Sequence, residues 1–137
     1  MATAKWSTPV TATNIAGTAL NSLANGSTSS VMTYDNSTNR NLYARLTLDL
    51  GSITPTSGGS ITIRYVGRYS GTAEDITTGL ESYTLPLTTS TSAKKVIFEM
   101  IRLYPFSDGF VLVNNAGVAL AASSNTLNLE AFSEEVV

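Results

Sequence analysis

The clearest pattern in the chain is a run of alternating residues. From Leu42 to Leu50, Leu42, Ala44, Leu46, Leu48 and Leu50 fall on one side of an extended backbone, and Tyr43, Arg45, Thr47 and Asp49 on the other. That period of two predicts a strand with one buried and one wet face. Ile61, Ile63 and Tyr65, alternating with Thr62 and Arg64, predict a second strand of the same kind. Between them, 51–59 carries Pro55 and Gly58-Gly59 and reads as a loop.

Other segments follow by composition. Val31 to Tyr34 is a strand stopped by Asp35-Asn36-Ser37, and Tyr83 to Leu87 a short one whose Pro86 places it at an edge. Val96 to Leu103 is apolar at almost every position, and its β-branching and the stop at Pro105 favour a strand covered on both faces over a buried helix. Phe110 to Val113, Val118 to Ala121 and Thr126 to Phe132 complete the series, separated by Asn114-Asn115-Ala116-Gly117 and Ser123-Ser124-Asn125. Ile15 to Leu23 fits a helical stripe capped by Asn14, while Ala19 to Leu23 fits a short edge strand equally well. A polar excursion, with Arg68, Tyr69, Gly71, Glu74 and Asp75, reaches to Glu81. About eight strands with no crossover helices between them predict an all-β fold, an antiparallel β-sandwich or jelly roll. Residues 1–14 read as an extended N-terminal arm, and 15–137 as one sandwich domain.

Composition narrows the functions. The chain has 137 residues, 42% of them hydrophobic, enough for one core. Only 13% are charged, and the formal net charge is −2 with no basic run beyond Lys94-Lys95, which argues against a nucleic-acid partner. No apolar run is long enough for a membrane span, so no membrane partner is expected. The N-terminus lacks the basic and apolar segments of a signal peptide, and synthesis in a cytoplasm is the expectation.

The chemistry available is sparse. There is no histidine and no cysteine, which removes the commonest general base, thiol chemistry and most metal sites; no cofactor and no metal are expected. Carboxylate catalysis has Glu74, Asp75, Glu81 and Asp108 in loops and Glu99 on a strand as its candidates, but neighbours such as Glu74 and Asp75 point opposite ways along an extended chain. Solvated loop positions are the stronger reading. Asp35 to Asn39 spaces oxygens like a calcium loop, yet Arg40 stands where glycine is needed, so an Asx turn is expected. Tyr43, Tyr65, Tyr69, Tyr83 and Tyr104 could stack on sugars, although Tyr65 falls on the core face and packing is the simpler role. Trp6, outside the strand pattern, either plugs the chain's own sandwich or anchors in a partner.

The succession Tyr34-Asp35-Asn36, Asn41-Leu42-Tyr43-Ala44, Gly59-Ser60-Ile61-Thr62-Ile63 and Leu103-Tyr104-Pro105-Phe106, closing with Phe110 through Val113-Asn114-Asn115 and Gly117-Val118-Ala119-Leu120-Ala121 to Ser124-Asn125-Thr126-Leu127, resembles the small jelly-roll decoration, or cement, proteins of tailed-bacteriophage capsids. The likeness spans Tyr34 to Val137, and its last stretch looks like the final hairpin of those proteins. It implies a jelly roll with no active site on the outer surface of the virion, bridging subunits of the major capsid protein and associating with itself as a dimer or trimer. The terminal segments 1–10 and 133–137 have the composition of arms that order on a neighbour. Trp6, Pro9, Val10, Val136 and Val137 are therefore the candidate partner-binding residues. The rival expectation is a carbohydrate- or receptor-binding module of a phage tail, since such sandwiches serve both roles.

Overall fold

In the computed structural model, which describes residues 2–68 and 81–137, the Leu42–Leu50 alternation becomes a long strand. Ten strands occur among the described residues: β1 (Ala4–Trp6), β2 (Val10–Ala12), β3 (Met32–Asp35), β4 (Tyr43–Ile53), β5 (Ser60–Arg68), β6 (Glu81–Pro86), β7 (Ser92–Arg102), β8 (Ser107–Asn115), β9 (Thr126–Phe132) and β10 (Glu134–Val136). No helix occurs among those residues. One sheet has the order β2-β9-β4-β7 and a second the order β3-β8-β5-β6, while β1 and β10 form a separate two-stranded ribbon. The pairings are antiparallel throughout, and the two larger sheets form a sandwich.

The core lies where the sheets' inner faces meet. Ala44, Leu46, Leu48 and Leu50 of β4 pack with Leu127 and Leu129 of β9, and the opposite sheet adds Ile61, Ile63, Tyr65, Phe110 and Leu112 to the same cluster. Each fully buried aliphatic side chain contributes about 2 kcal/mol, whereas an exposed ion pair contributes at most about 1 kcal/mol. The three ion pairs of the described residues, Lys5–Glu135, Arg45–Glu99 and Lys95–Asp49, are all solvated at 3.4–3.6 Å. Burial holds this fold together.

Several expectations need correction. β4 continues through Gly51 to Ile53, where a loop was expected. Glycine serves there for close approach, since a Cβ would lie 2.6 Å from the Ser123 carbonyl oxygen and 2.7 Å from the Ala121 Cβ. Leu42, expected inside, precedes the ladder and is exposed. β7 begins at Ser92 and is covered on one face, not two: Val96, Phe98 and Ile101 are buried, Glu99 and Met100 exposed. Its register explains why. Ala44 pairs with Ile101 but Leu46 with Phe98, so β7 carries one extra residue, and Met100 in that bulge has φ of 49°.

Val118 to Ala121 is not a strand. The Leu120 N–H donates to the Leu23 carbonyl and the Ser22 N–H to that of Ala121, both at 2.9 Å, so the segment is tied to another loop and makes no ladder. The hairpin expected after Asn115 is therefore absent. Ile15 to Leu23 is neither helix nor strand but a chain of turns, with hydrogen bonds from Ala19 to Ala16 and from Asn21 to Thr18. Left-handed φ at Gly17 (56°) and Ser22 (55°) stops a helix from propagating. Leu20 still reaches the core.

Residues 1–14, expected as an extended arm, are extended where described and lie against the same chain: β1 pairs with β10, and β2 with β9. Tyr69, Glu74 and Asp75 of the polar excursion lie outside the described residues.

Leu48 is fully buried at the centre of β4. Leu48→Ala should lower the unfolding free energy by about 3 kcal/mol in chemical denaturation, and Thr47→Ala on the wet face by less than about 0.5 kcal/mol. Equal losses would show that β4 does not bury one face.

Candidate functional site

The outward face of the β2-β9-β4-β7 sheet carries polar and charged side chains in rows. Arg45 lies opposite Glu130, Thr47 opposite Asn128 and Asp49 opposite Lys95. At one end the row turns aromatic. Tyr43 pairs with Phe132 across β4 and β9, their rings 5.9 Å apart, and Trp6 descends from β1 to meet both edge-on, 5.5 Å from Phe132 and 6.5 Å from Tyr43. The Arg102 guanidinium sits 6.0 Å from the Tyr43 ring centre, within cation–π reach.

Beside this cluster is an open groove of about 420 Å³ lined by Trp6, Ser7, Pro9, Arg45, Glu99, Met100, Glu130 and Phe132. Trp6 is 54% exposed and Met100 49%. These large apolar side chains form an exposed apolar patch on an otherwise polar sheet face. Met100 belongs to it because the bulge in β7 turns an apolar residue outward.

Pairing between the two ends of the chain positions Trp6. In the ribbon Ala4 faces Val136, Lys5 faces Glu135 and Trp6 faces Glu134. The ribbon is fastened beyond both strands: Thr3 and Val137 exchange backbone hydrogen bonds at 2.9 and 3.0 Å. At the other end the Ser7 N–H donates to the Ser133 carbonyl and the Ser133 N–H to the Ser7 Oγ, both at 2.8 Å. Every residue of both ribbon strands is exposed.

Of the five residues expected to bind partners, Trp6 and Pro9 line the groove. Trp6 does not enter the sandwich core; it caps Phe132 and Tyr43 from outside. Val10 opens β2 opposite Ala131, and Val136 and Val137 lie exposed at the far end of the ribbon. The structure adds Tyr43, Phe132, Met100, Arg45, Glu99 and Glu130. Tyr43 was legible as a wet-face position of its strand; Phe132 carried no such mark, and Met100 depends on the bulge.

The carboxylates sit elsewhere or are already engaged. Glu99 pairs with Arg45, and Glu81, on β6, accepts a hydrogen bond from the Tyr83 hydroxyl. Asp108, expected in a loop, lies on β8 and is fully buried. Its Oδ1 accepts from the Tyr65 hydroxyl at 2.6 Å and the Tyr104 N–H at 3.0 Å, whereas Oδ2 has no partner. Burial pushes its pKa from 3.8 up to about 6, against the pull of both hydrogen bonds. Burial and the adjacent Asp108 also raise the Tyr65 phenol well above its ordinary range. Asp35 forms the expected Asx turn, accepting from the Ser37 N–H at 2.9 Å and hydroxyl at 2.6 Å, and these bonds lower its pKa. No group of three or more potential metal-binding side chains occurs among the described residues.

No protein-family model matches the chain, and no curated protein matches it. Among solved structures, one from Bacillus endospore appendages, described as a novel family of disulfide-linked pili, matches 99% of this chain and 88% of its own, with 13% identity and a TM-score of 0.38. A likeness of that size carries no argument about function.

Asp108 predicts a pH dependence. Below about pH 4 the carboxyl is protonated whether the chain is folded or not; between 3.8 and about 6 only the folded chain keeps the proton. Its contribution to stability therefore falls as pH rises through that window, by at most about 1.4 kcal/mol per pH unit. Asp108→Asn should gain on the parent chain in denaturation midpoint from pH 4 to pH 7. Parallel curves would rule out this role for Asp108.

Proposed function

We propose that the chain is a non-enzymatic structural protein of a virion. In this reading it is a jelly-roll decoration protein that docks on the outer surface of an assembled capsid, bridges subunits of the major capsid protein and associates with itself as a dimer or trimer. The observation that carries the reading is the exposed pair Trp6 and Met100, with half-buried Phe132 and Tyr43 against Trp6 on one sheet face, beside a ribbon that exposes Val136 and Val137. An aromatic anchor within a polar surround is how protein interfaces concentrate their binding energy.

The strand order supports the jelly roll. From β2 to β9 the chain changes sheet at every step except β5 to β6, and the orders β2-β9-β4-β7 and β3-β8-β5-β6 interleave as two Greek keys do. That architecture serves viral capsid and lectin domains alike. The missing histidine and cysteine support a role in contact rather than catalysis. On a shell, many copies of one modest contact reinforce each other without a strongly charged anchor, which suits a chain with 13% charged residues.

The second reading, a carbohydrate- or receptor-binding module of a phage tail, draws on the same groove, where Arg45, Glu99 and Glu130 could hydrogen-bond hydroxyls beside an exposed indole. Against it, the Trp6 ring stands at 80° and 86° to its aromatic neighbours, so the cluster is no flat stacking platform.

Removing residues 2–9, or making Trp6→Ala alone, should sharply reduce co-sedimentation with capsid shells. Full retention of both variants would overturn the reading, and glycan-dependent binding lost with Trp6 would favour the tail module.

A further inference from the structure

The ribbon is built from the two ends of the chain and contributes nothing to the sandwich core. Ala4, Lys5 and Trp6 on one strand and Glu134, Glu135 and Val136 on the other are all exposed. A two-stranded ribbon without a buried face is marginal in water. What holds β1 in place is a receptor made by other parts of the chain: the β10 backbone, Ser133, and the rings of Phe132 and Tyr43.

We infer that β1 is exchanged between copies, so that β1 of one molecule pairs with β10 of a second and seats its Trp6 against the second copy's Phe132 and Tyr43. The inference rests on the proposed self-association and supplies its contact. Each interaction that binds β1 within the chain can form between chains without change: the three register pairs, the Lys5–Glu135 ion pair at 3.6 Å, and the reciprocal Ser7–Ser133 bonds. Releasing β1 leaves the sandwich intact, because none of its residues is in the core. Exchanging an identical element is a low-cost route to an oligomer for that reason.

The connection between β1 and β2 suits exchange. Only residues 7–9 join them, Thr8 and Pro9 are exposed, and Pro9 biases Thr8 toward extended backbone. Three extended residues span roughly 10 Å, so the exchanging copies must lie directly against each other. A closed two-fold or three-fold assembly meets that demand better than an open chain of distant copies.

The other obvious route, pairing of sandwich edges, is guarded. β7 turns Lys94 inward and carries the Met100 bulge; β6 ends in Pro86; β2 and β3 are only three and four residues long. Inward charges, bulges, proline and short strands are the devices that keep sheet edges from joining. Exchange of β1 uses none of those edges.

The chain has no cysteine, so a Lys5→Cys, Glu135→Cys double variant holds only the engineered pair, at positions that face each other in the ribbon. After oxidation, exchange should give disulfide-linked dimers or trimers on denaturing, non-reducing gels, in a share well above that of Lys5→Cys alone. Trp6→Ala in the otherwise natural chain should shift the mass measured by light scattering toward the monomer. Internally linked monomer alone, with the natural chain still oligomeric, would overturn the exchange but leave self-association standing. Monomer in both measurements would overturn both, and an undiminished oligomer in Trp6→Ala would overturn the exchange whatever the gel showed.

Discussion

Everything in this molecule depends on two four-stranded sheets having to bury their inner faces against one another. Neither could stand alone: the leucines of β4 and β9 need the isoleucines of β5 and the aromatic side chains of Tyr65 and Phe110 to exclude water. Once that contact forms, the outer faces are determined as well, since the pleat sends every second residue outward. The Tyr43, Arg45, Thr47, Asp49 row exists because Ala44, Leu46, Leu48 and Leu50 are inside.

The loops at the ends of the sandwich are held by buried polar groups that satisfy backbone atoms. Asn114 donates from Nδ2 to the carbonyls of Leu23 and Val118 at 2.9 Å each, which makes one unit of two loops far apart in sequence. Asn36 does the same for Asn41 and Tyr104 at 2.8 and 2.9 Å. The Lys94 ammonium meets the carbonyl oxygens of Ser90 and Ser92 rather than a carboxylate. Removing the Asn114 side chain would also take the acceptor from the buried Ala116 N–H, which donates to its Oδ1 at 2.9 Å, a cost that usually exceeds the worth of the bond itself. Asp108 differs from these, a buried carboxyl with one oxygen unmatched whose pKa burial pushes up to about 6.

The outer face and the ribbon have the opposite character. Their contacts are ring edges, solvated ion pairs and a short stretch of exposed ladder, each worth little and easily remade elsewhere. A rigid core beneath a loosely held, aromatic surface separates stability from contact. Under the proposed function, the sandwich keeps its shape while the Trp6 strand and the groove beside it serve for association.

The central strands were legible from the residues because a period of two is a local property. The Tyr43–Leu50 stretch of β4 could be read position by position, and β5 by its inward Ile61, Ile63 and Tyr65, whereas Thr62, expected on the wet face, is buried. Segments without that period were not. Val118 to Ala121 and Ile15 to Leu23 are apolar enough for strands or helices, yet they bury their side chains as turns tied to each other, a choice made by hydrogen bonds between distant loops. Met100 and Asp108 were misjudged because a bulge and a shifted strand boundary invert exposure without any mark in composition. The candidate site lay furthest from local reading: period-two alternation set the sandwich and its wet face, whereas the first strand meets the last only through the folded sheets, because β1 and β10 are three residues each and gain their pairing from the sheets that hold the chain's two ends together.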